Sequence, residues 1–396
     1  MANSPLIYLA IDNCFASRRW TNPLVWASLV KGLGVRYVEA SADNECDPLY
    51  TTPDYLADWV KAVRGLPDYP GVKVANFYTG HGTYFTTGLT HTDRRIRDRI
   101  MNDWLKVMMR VAAEAGAGLG FACHAFSEWV LQDPARYAAF EDDLYDRLAE
   151  LARYGAEAGT QSVGVEQMYT PHMIPWTLAG SAHLLREVWA RSGKPFYLTI
   201  DTGHQWAQRR FLRPSRAQLE AALARLRSTG SLAGTCWLPR YCAHWLYEAA
   251  EAPAARAEGY LEKSEAEMDR YPYLFAQPED GDPYLWLERL GCYSPIIHLQ
   301  QTAGDRSAHL PFTAANNATG IIHPRQVLEA LARSYLGPPD PAMPPRCQTI
   351  YLTIEVFAGT GDFPADLLEG LKETVRYWRR LVSRDGMTLE EALRED

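Results

Sequence analysis

The order of apolar and polar positions along the chain predicts short strands that alternate with longer helices. Apolar runs predict strands at 5–11, 35–41, 72–78, 117–124, 162–168, 196–201, 295–300 and 349–355. Helical periodicity lies between them, at 22–33, 53–65, 92–115, 134–157, 177–192, 323–336 and 364–383. Gly or Pro marks most boundaries. Strands that alternate with helices pair in parallel, so this pattern predicts an α/β fold, a (β/α)8 TIM barrel.

One connection is much longer than the others. Residues 202–294 separate the sixth predicted strand from the seventh, and helical periodicity fills much of this segment. A structureless loop of that length is uncommon inside a compact domain, so we expect a helical excursion that shapes a lid or a subunit contact. No repeat or linker divides the chain. We therefore expect residues 1–396 to form a single TIM-barrel domain with a helical insertion between strands 6 and 7.

Composition narrows the class of protein. Of the 396 residues, 47% are hydrophobic and 22% are charged, and the formal net charge is -8. No Lys/Arg block is present to neutralise phosphates, so a nucleic-acid partner is not expected. The scattered cysteines, without a CxxC pair, argue against a disulfide framework and a zinc knot. No signal peptide or apolar stretch of ~20 residues is apparent, so we expect a cytoplasmic protein that does not contact a membrane.

Ionisable residues stand on the last four predicted strands, near the carboxyl ends where TIM barrels collect their chemistry. Apolar runs lead to Glu166 in VGVE, Asp201 in LTID, His298 in PIIH and Glu355 in LTIE. Taken singly, each carboxylate is equally consistent with a helix cap or an ion pair. Three carboxylates at close range repel one another unless a cation lies among them. The set therefore predicts one divalent metal ion, Mn, Mg or Co, with Zn as an alternative.

This pattern resembles the xylose isomerase-like TIM barrel superfamily, which includes sugar isomerases and epimerases, inosose-processing enzymes and endonuclease IV relatives. Its ketose 3-epimerase branch binds one metal through Glu, Asp, His and Glu on strands five to eight, with a His three residues after the Asp. The stretch HLPFTAANNATGIIHPRQVLEAL at 309–331 is similar to one in the sugar-phosphate enzymes of the superfamily. The resemblance implies that Glu166, Asp201, His298 and Glu355 bind the metal and that His204 faces the substrate.

Two positions depart from the 3-epimerase pattern. Those enzymes have a sugar-contacting acidic residue six positions after the strand-five Glu, where this chain has His172. They also have an Arg six positions after the strand-seven His, where this chain has Gly304, with Arg306 as the nearest candidate. We therefore expect a substrate or a reaction that differs from those of the free-ketose epimerases. Endonuclease IV activity is not expected, because its trinuclear site needs more His and acidic ligands.

The predicted chemistry is proton transfer next to a carbonyl. A metal that chelates two adjacent oxygens of a hydroxy-ketone stabilises the enediolate and so lowers the pKa of the carbon-bound proton. Two carboxylates on opposite faces can then exchange that proton, one as base and the other as acid. The resemblance assigns these catalytic roles to Glu166 and Glu355. The expected function is a metal-dependent isomerase or epimerase of a ketose or ketose phosphate.

Further substrate contacts are expected on the loops at the same end of the barrel. His81 follows strand three and His124 ends strand four, and for each a purely structural role is nearly as good an interpretation. Arg209 follows the strand-six motif, where a guanidinium suits a phosphate or carboxylate, although a surface position on a loop is the better explanation. Glu39, near the end of strand two, is an open candidate. The predicted substrate-binding set is His204, His81, His124, His172, Arg209 and Arg306.

Two other functions stay open at this stage. A lyase of the inosose-dehydratase or C-glycoside-cleaving type would form the same enediolate beside a leaving group. A non-catalytic binding or scaffold protein would keep the fold of the superfamily without its activity. The full Glu/Asp/His/Glu set argues against this alternative. The expected partner is a small carbohydrate, and residues 214–290 of the insertion are the candidate interface of a homo-oligomer.

Overall fold

Eight parallel strands close into a barrel in the computed structural model, which describes residues 4–79, 88–123 and 125–395. The strands are β1 (Leu6–Asp12), β2 (Tyr37–Ser41), β3 (Lys73–Thr79), β4 (Gly118–Phe121), β5 (Val163–Glu166), β6 (Tyr197–Asp201), β7 (Ile296–Leu299) and β8 (Thr349–Ile354). Each strand pairs with the next, and β8 pairs with β1 over six residues of each strand. The predicted TIM barrel is therefore confirmed.

The first strand, β1, pairs with three other strands, because two of those strands pair with different halves of the same edge of β1. The carboxyl half of β1, at Ala10–Asp12, pairs with β2. Its amino half, at Leu6–Ile7, pairs with a short antiparallel strand, β9 (Met387–Thr388). The barrel thus stays closed at the carboxyl end while a late segment of the chain covers the amino end.

Helices surround the barrel, and those before the insertion follow the predicted pattern closely. They are α1 (Pro23–Leu33), α2 (Ala42–Glu45), α3 (Pro53–Gly65), α4 (Arg94–Arg99), α5 (Lys106–Ala115), α6 (Glu128–Leu131), α7 (Pro134–Ala158) and α8 (Leu178–Ser192). A π-helical stretch, Ile100–Leu105, joins α4 to α5, so the single helix predicted at 92–115 is interrupted. In the described part of the chain, no helix is both long enough and apolar enough to span a membrane.

The segment between β6 and β7 is mostly helical, as expected. It contains α9 (Gln205–Gln208), α10 (Arg216–Thr229), α11 (Arg240–Glu251), α12 (Ala254–Asp269) and α13 (Pro283–Leu290). The remaining helices are α14 (Ala314–Asn317), α15 (Pro324–Ser334), α16 (Pro364–Arg379) and α17 (Leu389–Ala392). The α11 and α12 helices pack on each other and on α10, so the insertion builds a small helical layer of its own.

Local sequence explains where the longest helix begins and ends. The Asp133 side chain accepts hydrogen bonds from the backbone N–H groups of Ala135 and Arg136, which caps the amino end of α7. Pro134 stands at the first helical position, where its missing N–H costs nothing. Gly159 ends the helix with a φ of 86°, a left-handed conformation that glycine adopts without strain.

The interior of the barrel is apolar at one end and polar at the other. At the amino end, the rings of Tyr8, Tyr37 and Tyr351 contact one another, with centroids 4.9–5.6 Å apart. Side chains alternate along a strand, so every second residue of β8 after Tyr351 faces the interior, which brings Glu355 to the opposite end. The tyrosines thus occupy the amino end of the barrel interior, and the ionisable groups lie at the carboxyl end.

Candidate metal centre and active site

The four predicted ligands lie together at the carboxyl end of the barrel. Glu166 ends β5, Asp201 ends β6, His298 is in β7 and Glu355 directly follows β8. Asp201 is directly opposite His298 in the β6–β7 pairing, so the two strand ends reach the same level. One ligand atom from each of the four residues lies within 4.8 Å of all the others, and all four side chains are buried. The structure thus brings the whole set to one point.

The donor set has the composition that a divalent cation requires. Three buried carboxylates share one imidazole, so the cluster carries more negative than positive charge. Burial raises the pKa of Glu355 well above its usual range, and the charges of Asp201 and Glu166 raise it further against the opposing effect of His298. A divalent ion among these oxygens would remove that repulsion, and hard oxygen ligands with one imidazole suit Mn, Mg, Co or Zn. The residues present therefore fit a metal.

The other two carboxyl groups favour the ionised form. Burial opposes ionisation of Glu166, but the hydrogen bond with His298 and the charges of His204 and His298 outweigh it and lower its pKa. Burial likewise opposes ionisation of Asp201, while His204, His309 and His298 lower its pKa to about 2. The three carboxyl groups of the cluster are thus electrostatically unequal: the pKa values of Asp201 and Glu166 are lowered, whereas burial and the charges of those two neighbours raise the pKa of Glu355.

The orientation of His298 is fixed from both sides of its ring. Its Nε2 lies 2.7 Å from Glu39 Oε2, while its Nδ1 lies 3.1 Å from Glu166 Oε1 and 3.4 Å from Glu355 Oε2. Glu39 is itself held by Asn76, whose Nδ2 donates to Glu39 Oε1 at 2.6 Å. A carboxylate that accepts from one imidazole nitrogen directs the other nitrogen at a metal. Glu39 therefore supports the ligand set from β2.

Asp201 is held by an amide and by the backbone. The Nε2 of Gln300 donates to both carboxylate oxygens, at 2.8 and 2.9 Å, and the Gly203 N–H donates to Oδ1 at 2.6 Å. A Cβ on Gly203 would lie 2.3 Å from the Gln300 amide carbon. Gln300 could move aside only by giving up these hydrogen bonds, so a side chain at position 203 is disfavoured.

A cavity of about 470 Å³ lies over the cluster. Its walls include Tyr169, His204, His309 and Phe357, with Glu166 and Glu355 among its lining residues. The His204 ring meets the Tyr169 ring edge-on at 4.9 Å, and the His309 ring stacks on Phe357 at 3.8 Å. Cavities of similar volume occur elsewhere on the described surface, but this one adjoins the buried acidic and histidine cluster. It is therefore the candidate substrate site.

The predicted substrate-binding histidines have different positions. His204 lines the cavity, and its Nδ1 lies 2.8 Å from the Gln167 carbonyl oxygen. His172 is half-buried, its Nδ1 lies 2.7 Å from the Phe126 carbonyl oxygen, and it is not among the residues that line the cavity. His81 and His124 lie outside the described residues.

The two predicted arginines do not line the cavity. Arg209 donates from Nε and from one terminal nitrogen to the Gly281 carbonyl oxygen, at 3.0 and 2.8 Å, which ties the end of α9 to a later part of the same insertion. Arg306 has an exposed side chain, and its backbone carbonyl oxygen accepts from Thr302 Oγ1 at 2.5 Å. The structure therefore gives Arg209 a structural contact and leaves Arg306 on a surface loop.

Two residues that the sequence did not single out also belong to the site. The Tyr78 hydroxyl, near the end of β3, donates to Glu166 Oε2. The Nδ1 of His309 lies 3.2 Å from Glu355 Oε2, and its Nε2 lies 3.1 Å from Ser307 Oγ. Tyr78 follows the same strand-end rule as the ligands and was detectable in that way. His309 lies on a loop that folds back towards the barrel, and no local sequence pattern predicts that path.

Comparison with known proteins agrees with this architecture. The profile of a family described as xylose isomerase-like TIM barrel matches residues 27–229. A D-erythrulose 1-phosphate 3-epimerase of Brucella abortus (strain 2308) is 45% identical over 67 residues, which are 17% of this chain and 22% of that protein. The matched segment thus spans less than a quarter of this curated relative.

Solved structures resemble the whole barrel. A putative xylose isomerase from Rhodospirillum rubrum has a TM-score of 0.63 at 19% identity and covers 94% of this chain and 98% of its own. An L-ribulose 3-epimerase has a TM-score of 0.54 at 12% identity, with 98% of this chain and 96% of its own covered. At these identities the likeness establishes the fold.

Proposed function

This chain belongs to the xylose isomerase-like TIM barrel family, and we propose that it is a divalent-metal-dependent isomerase or epimerase of a ketose or ketose phosphate. The proposal depends on one observation, the convergence of buried Glu166, Asp201, His298 and Glu355 beneath a cavity. The similar Brucella protein is named for an epimerisation of a phosphorylated tetrulose, which supports a small carbohydrate as the substrate.

The four side chains would hold the cation, and Glu166 and Glu355 would also move the proton. A bound divalent cation supplies positive charge that stabilises the enediolate form of a hydroxy-ketone. Glu166 comes from β5 and Glu355 from β8, so the two carboxyl groups face the cavity from different sides. One removes the carbon-bound proton as base, and the other returns a proton to the opposite face or to the neighbouring carbon.

Neighbouring side chains fix the reacting groups. The Tyr78 hydroxyl donates to Glu166 Oε2 and thereby restrains that carboxylate. A carbonyl oxygen only accepts, so the contact with Gln167 places a proton on Nδ1 of His204. This leaves Nε2 of His204 to contact a substrate oxygen. Tyr169 and Phe357 supply aromatic walls against which the carbon chain of a sugar can pack.

The test is proton exchange on a panel of ketoses and ketose phosphates in deuterated water, with metal content measured in parallel. For the active substrate we expect a mass gain at one carbon. Glu355→Gln should lower kcat about 10²–10⁴-fold, the usual contribution of a general acid or base, while part of the metal stays bound. His298→Ala should lose the metal. The exposed Glu157→Gln is the matched control and should behave as wild type.

The outcome distinguishes the competing functions. Deuterium incorporation without loss of a group supports the isomerase or epimerase. Release of water or of an aglycone would identify a lyase instead. Full turnover by Glu355→Gln would remove that residue from catalysis, and unchanged metal content in His298→Ala would contradict the ligand set.

A further inference from the structure

Two residues at the cavity have an unusual backbone conformation. Among the described residues, Arg18 (φ 64°) and His309 (φ 45°) are the two non-glycine residues with positive φ, and both line the cavity over the acidic cluster. Such conformations are unfavourable for residues with a Cβ and persist where the surrounding structure enforces them, often at ligand sites. Arg18 stands on the loop after β1, and nothing in the proposed mechanism uses it.

The loop around Arg18 is fixed on both sides. Phe15 and Ala16 are buried, and the Ala16 carbonyl oxygen accepts hydrogen bonds from the backbone N–H groups of Arg19 and Trp20, at 3.0 and 2.9 Å. The Arg19 guanidinium donates to the Gly359 carbonyl oxygen and, at 2.6 Å, to that of Asp362. Arg19 therefore fastens this loop to the loop after β8, and Arg18 is held at the mouth of the cavity between them.

The charge of Arg18 is not used within the described protein. No described carboxylate lies within ion-pair distance of its guanidinium, although arginines elsewhere in the chain pair with acids in networks such as that of Arg191. Among the described residues that line the cavity, Arg18 is the one Arg or Lys, and Ser17 adds a hydroxyl next to it. The cavity thus has an acidic floor and a cationic rim.

We propose that Arg18 binds the phosphate of a phosphorylated ketose, so that the substrate lies with its phosphate at the rim and its hydroxy-ketone end above Glu166 and Glu355. The orientation of the reacting end rests on the proposed function. A guanidinium presents a planar fork of donors that matches phosphate oxygens, and the Ser17 hydroxyl can donate to a third oxygen. A cation at the rim also attracts an anionic substrate to the cavity.

Arg18→Gly is the most informative substitution. Glycine adopts positive φ readily, so this variant keeps the loop conformation while it removes the guanidinium. We expect its thermal stability to match or exceed that of wild type. The exposed Arg64→Gln on α3 is the matched control, since it removes the same charge from the outer surface.

Binding is measured by calorimetry on the metal-loaded full chain with three non-reacting probes: glycerol 3-phosphate, glycerate and glycerol. Wild type and Arg64→Gln should bind glycerol 3-phosphate, and Arg18→Gly should bind it about 10- to 100-fold more weakly, as expected for loss of a hydrogen bond between charged groups. Equal binding by Arg18→Gly, or no binding by wild type, would overturn the proposal. Glycerate bound as tightly as glycerol 3-phosphate would identify a carboxylate site instead of a phosphate site.

A kinetic measurement then locates the effect in the reaction. On the ketose phosphate that exchanges protons, Arg18→Gly should raise KM by a similar factor with little change in kcat, because the phosphate is remote from the reacting carbon. Exchange on the matching free ketose should be the same in both proteins. Because probe binding needs no turnover, the phosphate site can stand or fail independently of the isomerase or epimerase activity.

Discussion

At the scale of single residues, Glu39 decides which nitrogen of His298 faces the other ligands. Its carboxylate lies 2.7 Å from His298 Nε2, and Asn76 occupies its second oxygen. A glutamine at this position can offer only one acceptor, so one of the two hydrogen bonds must be lost together with the negative charge that increases the basicity of the imidazole.

We therefore expect Glu39→Gln to bind the proposed metal about 10- to 100-fold more weakly, the usual cost of losing a partner of a metal-bound histidine. Titration with Mn²⁺ measures the affinity directly. The affinity of His298→Ala is the expected lower limit, and that of the exposed control variant Glu157→Gln is the expected upper limit. An affinity equal to wild type would show that Glu39 has no part in orienting the ring.

Residues also differ in how far the sequence alone could place them. Asp201 was placed correctly at a strand end because an acid that ends an apolar run is costly to bury without a partner. Arg209 was expected at the substrate by its closeness in sequence to that motif, yet its guanidinium binds the Gly281 carbonyl group. Arg18 and His309 reach the cavity on loops whose course depends on contacts with distant segments, and no local pattern encodes such contacts.

At the scale of elements, the short helix α2 is joined to α1 by a buried carboxyl group. Trp26 Nε1 donates to Glu45 Oε1 at 2.5 Å. Burial raises the pKa of Glu45 to about 7, although the hydrogen bond from Trp26 and the nearby Trp59 side chain favour ionisation. Between its ordinary pKa and about 7, the unfolded chain releases the proton while the folded protein keeps it. This carboxyl group therefore makes the protein less stable as the pH rises from about 4.5 to 7.

Glu45→Gln should remove that pH dependence, because the amide stays neutral and its oxygen still accepts from Trp26. Relative to wild type, we expect the variant to gain stability with rising pH, by on the order of 2–3 kcal/mol at pH 8 and close to nothing at pH 4. Urea unfolding across this range measures the difference, with Glu157→Gln as the control. A difference that does not change with pH would show that Glu45 ionises normally.

Most elements follow from local sequence because their ends have local causes. The helix predicted at 53–65 is α3, and the one predicted at 134–157 ends one residue later at Ala158, with Gly159 as its left-handed cap. The interruption at Ile100–Leu105 was not predicted, because apolar periodicity does not distinguish a π-helical turn from the α-helix around it. The course of the long loops was equally unpredictable, since long-range packing decides it.

At the scale of the whole molecule, the candidate site draws on both halves of the chain. The four ligands come from β5–β8, whereas Glu39 and Tyr78, which fix two of them, come from β2 and β3. The complete arrangement therefore exists only in the folded protein, and a metal that binds there stabilises the fold by mass action.

Divalent metal at about 100 times its Kd should stabilise wild type by about 2.7 kcal/mol, which raises Tm by several degrees. A chelator should reverse the shift. His298→Ala should show neither effect, while Glu157→Gln should show both. An equal rise of Tm in His298→Ala would mean that the stabilising ion binds elsewhere. Differential scanning fluorimetry with and without Mn²⁺ suffices for the measurement.

The pairing of β1 with β8, the seam that closes the barrel, has a consequence for the rates of folding and unfolding. It joins Leu6–Ile11 to Thr349–Ile354, segments from distant parts of the chain. Because closing so long a loop costs entropy, we expect this pairing to form late in folding. Glu39 and Glu355 meet His298 from strands on the two sides of this seam. We therefore expect a metal ion bound by His298 and Glu355 to slow the unfolding of the closed barrel, with little effect on its folding rate.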